Sequence, residues 1–180
     1  SADGTRSLTS RYNSSQEATT WSIHSLALDG STDTTIVEKA CPLTFPRMSP
    51  DGKVIALFSN RSCPSSDPAA SELFFMNPDG TNLRPAGTQL RIGGFDWSPD
   101  SKTIVYDDAG DLWTLDIATL GRHQLTHGNP SELAPVFAPS GPAIVFKVQD
   151  SNASGIEVIN LDRPARRQSP PPPAAATARY

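Results

Sequence analysis

A chain of 180 residues with 37% hydrophobic content is long enough for one domain or one run of repeats, and its 17 prolines and 12 glycines interrupt it often. Fifteen basic residues against nineteen acidic ones leave a net charge of −4, which argues against a nucleic-acid binder that relies on phosphate contacts. No stretch approaches the roughly 18 consecutive apolar residues of a membrane-spanning helix.

The opening turn, Ser1-Ala2-Asp3-Gly4, returns as Ser49-Pro50-Asp51-Gly52, Ser98-Pro99-Asp100-Ser101 and Ala138-Pro139-Ser140-Gly141, at spacings of 48, 49 and 40 residues. Proline presets φ at the first central turn position, aspartate can bond its own backbone, and glycine accepts positive φ. An apolar run follows the last three turns, over residues 54–58, 104–106 and 143–148; after the first, residues 5–12 hold Leu8 as their single aliphatic side chain. Runs that are continuous rather than alternating predict strands buried on both faces.

A second strand comes next in each unit, at residues 23–26, 73–76, 112–115 and 156–159, and runs into a polar turn such as Leu28-Asp29-Gly30 or Asn77-Pro78-Asp79-Gly80. More polar strands then lead outward at residues 34–37 and 122–126. Ahead of the later turns, Phe45-Pro46-Arg47-Met48, Gly94-Phe95-Asp96-Trp97 and Ala134-Pro135-Val136-Phe137 read as short inner strands. Four short antiparallel strands in about 40–50 residues make a β-propeller blade. The prediction is an all-β chain of about four blades over residues 1–168, beginning near Ser1, Ser49, Ser98 and Ala138, with a Pro/Ala-rich tail at residues 169–180.

The first unit has no inner strand, and the last has an outer strand, Arg166-Arg167-Gln168, cut short by the prolines from Pro170. An incomplete or partner-completed propeller is expected, either a part of a longer protein or an open arc whose edges a partner covers; a closed four-bladed ring is the alternative.

The Ser-Pro-Asp-Gly turn, its apolar strand and the strand end Phe75-Met76-Asn77-Pro78-Asp79-Gly80-Thr81-Asn82 resemble the WD-like repeats of TolB-type propellers. Similar repeats occur in the propeller domains of prolyl oligopeptidase relatives. The resemblance implies a six-bladed ring in the family. It also implies a periplasmic or otherwise extracytoplasmic place, as a non-catalytic accessory or structural subunit docked on a larger complex, membrane-bound ones included.

Residues that could carry chemistry are few. His123 and His127 are spaced for one helix face, but on a strand they lie about 13 Å apart, too far to chelate one zinc ion. His24 lacks evident companions in the sequence and reads as structural. There is no G-x-S-x-G elbow, and Asp3, Asp51 and Asp100 occupy equivalent turns of separate units, as turn formers. No catalytic residue, metal or cofactor is expected, and a small-molecule partner is not favoured. Cys41 and Cys63 could pair or stay reduced.

Protein subunits are the expected partners. The candidate contacts are Trp21 in the weak first unit, Ser62 and Asp67 in the insert at residues 60–71, Arg166 and Arg167, and Pro171 and Tyr180 in the tail. Trp97 reads as blade-to-blade packing and Trp113 as core. Two other functions stay open: the propeller of a longer hydrolase of the prolyl oligopeptidase type, and a small-ligand or calcium-binding propeller.

Overall fold

The computed structural model describes residues 4–15, 19–60, 71–87, 92–128, 130–151 and 154–162. Among these residues there are fourteen strands in four antiparallel sheets and no helix. Sheet I holds β1 (Arg6–Ser14), β2 (Thr19–Ala27) and β3 (Asp33–Lys39). Sheet II holds β4 (Leu43–Met48), β5 (Ile55–Asn60), β6 (Ser71–Met76) and β7 (Arg84–Pro85). Sheet III holds β8 (Ile92–Trp97), β9 (Thr103–Asp108), β10 (Asp111–Asp116) and β11 (Arg122–Gln124), and sheet IV holds β12 (Ser131–Phe137), β13 (Ala143–Gln149) and β14 (Ser154–Asn160). In every sheet the strands lie in chain order, so each is a meander closed by local turns.

The repeated turns show why the sequence repeats. In sheet II the Gly52 amide donates to the Ser49 carbonyl at 2.9 Å, and the buried Ser49 hydroxyl accepts from the Val54 amide at 3.0 Å while donating to Asp51 at 2.7 Å. Sheet III repeats this with Ser98 and Asp100: the Ser98 hydroxyl takes the Thr103 amide at 2.9 Å and donates to Asp100 at 2.7 Å. A serine one residue before proline thus satisfies backbone that would otherwise be orphaned beside the core.

Three apolar clusters join neighbouring sheets. Ile23, Leu43, Ile55, Leu57 and Met76 fill the contact between sheets I and II. Ala56, Phe58, Phe75, Trp97, Ile104 and Tyr106 fill the contact between II and III. Val105, Leu112, Phe137, Ile144 and Phe146 fill that between III and IV. β5 and β9 therefore bury both faces, as their continuous hydrophobicity predicts, and each buried Ile or Leu contributes about 1.5–3 kcal/mol. Trp97 is buried in the II–III contact, where its indole N–H donates to the Arg47 carbonyl at 3.1 Å. Trp113 is only half-buried and is capped by the Arg122 guanidinium, 4.6 Å from its ring centroid.

β13 departs from the expectation of burial on both faces. Ile144, Phe146 and Val148 point into the contact with sheet III, but Val145 is 37% exposed and Lys147 and Gln149 are open to solvent. Among the described residues sheet IV ends the row, so one face of β13 has no neighbouring sheet. The four described sheets do not close into a ring, and sheets I and IV lie at the two ends of the row. The predicted outer strand at Arg166-Arg167-Gln168 lies outside the described residues.

Candidate functional site

The inner strands share one irregularity: β4, β8 and β12 each carry a register shift, between Thr44 and Arg47, Ile92 and Phe95, and Leu133 and Val136. The bulge re-aims the backbone toward the next sheet. Phe45 and Ala134 occupy equivalent bulge positions with φ of 51° and 50°, the left-handed region that side chains normally avoid. Gly93 and Gly94 occupy the bulge of β8, where a Cβ on Gly93 would stand 2.4 Å from an Asp107 oxygen and one on Gly94 would stand 3.3 Å from the Ala134 Cα.

Two aspartates sew these strands together. Buried Asp107 accepts the amides of Gly93 and Ala134, each at 3.2 Å, and its burial pushes the carboxyl above the ordinary range. Asp96 accepts the Phe137 amide at 3.0 Å through one oxygen and the Arg47 guanidinium at 3.1 Å through the other. Asp96 thereby links strands of three sheets.

A cavity of about 710 Å³ opens beside this wall. Residues 6–10 of β1 form one side, residues 44–50 the other, and Asp96 and Trp97 complete it. Phe45 projects at its rim, 69% exposed, and meets Phe58 edge-on at 5.8 Å, which in turn meets Phe95 at 5.1 Å.

The two ends of the arc differ in chemistry. Cross-strand partners share a face, so the register places Ser7, Thr9, Arg11, Ser22, His24 and Leu26 on the outer face of sheet I. There the imidazole of His24 donates through Nδ1 to Asp33 at 2.8 Å and accepts the Ser22 hydroxyl through Nε2 at 2.9 Å, while Arg11 closes over Asp33 at 2.6 Å. The bond from His24, then that from Arg11, lowers the Asp33 carboxyl pKa. On sheet IV, by contrast, Val136, Val145 and Val158 lie side by side across three strands and are 46%, 37% and 42% exposed.

His24 therefore has companions, Ser22 and Asp33, that the sequence reading did not supply. Their order is that of a nucleophile, a base and an orienting acid. Ser22, however, sits in the central strand of its sheet, where the ladder to β1 and β3 occupies the neighbouring amides that an oxyanion would need. The network ties the sheet end together.

Of the residues singled out from sequence, Trp21 is described. It is half-buried against the I–II cluster, and Tyr12, 58% exposed, lies over it with ring centroids 4.8 Å apart. Ser62, Asp67, Arg166, Arg167, Pro171 and Tyr180 lie outside the described residues. His123 lies in β11 and His127 beyond it, both exposed, and among the described residues no group of three or more potential metal ligands converges. Cys41 is disulfide-bonded; Cys63 lies outside the described residues.

No protein-family model matches the sequence, and no curated protein matches it. Solved structures do. An oligogalacturonate lyase in complex with manganese superposes with TM-score 0.67 at 21% identity, over 89% of this chain and 48% of its own. A putative TolB from Agrobacterium tumefaciens gives TM-score 0.65 at 21% identity, over 87% of this chain and 59% of its own. The β-propeller domain of the trilobed protease from Pyrococcus furiosus, described as an open velcro topology, gives 0.61 at 15%, over 89% of this chain and 53% of its own. The chain thus spans about half to three fifths of these proteins. Its fold is that of the TolB-like β-propellers, as an arc of four blades.

Proposed function

We propose that the chain is a non-catalytic protein-interaction module that works outside the cytoplasm as an accessory subunit of a larger assembly, membrane-bound ones included. The observation that carries this reading is the unpacked apolar face of sheet IV. Val145 is the counterpart of Val105, which is buried between sheets III and IV, yet among the described residues Val145 and its cross-strand neighbours Val136 and Val158 meet solvent. Contiguous exposed apolar surface of this kind marks an interaction site. The likeness to the TolB structures supports the extracytoplasmic placement.

The test is to purify the chain from its native source, with and without Val145→Lys and Val158→Lys. Both sites are exposed, so the variant keeps its melting temperature within a few degrees. Loss of defined co-purifying subunits from the variant alone supports the reading. Identical monodisperse monomers from both proteins, with no associated subunit, would remove it.

A second reading, favoured by the likeness to the protease propeller, makes the arc part of a longer hydrolase. It requires a G-x-S-x-G domain in the same reading frame.

A further inference from the structure

Four Asn-x-Ser triplets occur in the chain, at Asn13, Asn60, Asn129 and Asn152. Asn129 is followed by Pro130, which acceptors of N-linked glycans exclude. The other three fall at one place in the repeat. Asn13 stands nine residues after Gly4, Asn60 eight after Gly52 and Asn152 eleven after Gly141. Asn13 is the last residue but one of β1, Asn60 ends β5, and position 152 lies between β13 and β14. The triplets therefore mark the connections β1–β2, β5–β6 and β13–β14, all at the strand ends opposite the repeated turns. Recurrence at this place in three units is more than a serine-rich composition supplies.

Asn13, Ser14 and Ser15 are exposed. In sheet III the corresponding connection is the two-residue turn Ala109-Gly110, and Gly110 lies nine residues after Ser101, as Asn13 does after Gly4. Sheet III thus turns back at the level of Asn13, whereas β1 runs on to Ser14, which pairs with Thr19. The tip of the β1–β2 hairpin stands above that level, where a neighbouring sheet of the same height leaves it open. A second observation is independent of the triplets: Cys41 is disulfide-bonded. Disulfides persist in the oxidising compartments where secreted proteins receive N-linked glycans.

We propose that Asn13 is an N-glycosylation site. The step is a glycosyl transfer from an oligosaccharide carried on a lipid diphosphate. The Asn13 amide nitrogen attacks C1 of the sugar; the N–C1 bond forms, the C1–O bond to the diphosphate breaks, the lipid diphosphate leaves and the amide loses one proton. The Ser15 hydroxyl completes the triplet that the transferase reads. A glycan is bulky and solubilising, so subunit contacts fall away from this hairpin tip. The inference rests on the extracytoplasmic part of the interaction reading and adds a modification to it.

The test uses the chain purified from its native source. Peptide:N-glycosidase converts a glycosylated asparagine into aspartate, and peptide mapping locates the change. The expected result is a loss of mass on treatment, with aspartate appearing at position 13. Ser15→Ala, expressed in the same source, is expected to lose that mobility shift and Ser15→Thr to keep it; position 15 is exposed, so both variants fold.

Unmodified Asn13 in a chain whose Cys41 disulfide has formed overturns the inference and leaves the extracytoplasmic reading standing. Unmodified Asn13 together with Cys41 as a free thiol overturns both. Modification of Asn13 that survives Ser15→Ala also overturns the inference, because attachment would then not run through the triplet.

Discussion

Asp107 in β9 and Ala134 in β12 belong to different sheets, yet the Ala134 amide donates to the Asp107 carboxylate at 3.2 Å. A single buried side chain from sheet III thereby holds the strained bulge of sheet IV in place, and through Gly93 the bulge of its own inner strand. Neighbouring blades are joined at their inner ends by polar bonds as well as by apolar contact.

Asp107→Ala removes the acceptor of the part-buried bonds from the Gly93 and Ala134 amides and is expected to lower stability by about 1–2 kcal/mol in chemical denaturation. The effect depends on pH. Burial raises the folded-state pKa above 3.8, so the folded protein binds this proton more tightly than the unfolded chain. The stability it supplies is full in acid and falls as pH rises from 3.8 through the raised value. The gap between wild type and variant should be widest in acid and narrow toward neutrality. A gap that widened with pH would contradict the assignment of burial as the dominant cause.

The turn aspartates act in the opposite direction. Asp51 and Asp100 are lowered below 3.8, first by the hydroxyls of Ser49 and Ser98 and then by the backbone amides of Lys53 and Lys102. Their contribution is complete above 3.8 and is lost as pH drops through the lowered folded values. The double variant Asp51→Asn, Asp100→Asn should show a flatter loss of melting temperature below about pH 4 than the wild type. Parallel acid limbs would show that these turns do not couple to folding.

Gly30 and Gly80 close equivalent turns with φ of 76° and 84°, but their surroundings differ. A Cβ on Gly30 meets nothing within 4 Å, whereas one on Gly80 would lie 2.3 Å from the Ile36 carbonyl oxygen of the adjacent sheet. Alanine at position 30 should cost about 1 kcal/mol, the ordinary left-handed penalty. Alanine at position 80 should cost clearly more and loosen the contact of sheet I with sheet II, seen as faster amide exchange in β3. Equal costs at the two positions would show that the close approach is relieved without strain.

Ser22 should not react with a fluorophosphonate probe, because the ladders to β1 and β3 engage the backbone around it. Labelling at Ser22 that disappears in His24→Ala would reopen catalysis at this end of the arc. His24→Ala itself is expected to cost about 1 kcal/mol through the two lost hydrogen bonds.

The blade pattern was legible because it is local. Proline, aspartate and glycine at fixed offsets mark the turns, and a run such as Ile55-Ala56-Leu57-Phe58 reads as doubly buried without knowledge of its neighbours. The same rule misjudged Val145, since burial of its face depends on whether another sheet follows, which no run of residues encodes. His24 looked isolated because Asp33 arrives from the next strand across a register shift between Ile23 and His24. Asp96 drew no notice as a polar interruption between Phe95 and Trp97, and Asp107 because it reads as part of the polar strand end Asp107-Asp108, while their partners come from 14 to 49 residues away. Most of the proposed contact residues fell in the insert and tail, so Trp21 alone could be placed.

The polar outer face of sheet I bears on how copies of the chain meet one another. A repeat with adhesive surfaces at both ends could add head to tail without limit and grow into fibres. Here the valines of sheet IV would have to settle on the Arg11–Asp33 ion pair and His24, stripping water from charges without offering them a bond. Among the described residues, head-to-tail stacking of copies through these two faces is disfavoured by desolvation, and the asymmetry gives the row of sheets a direction.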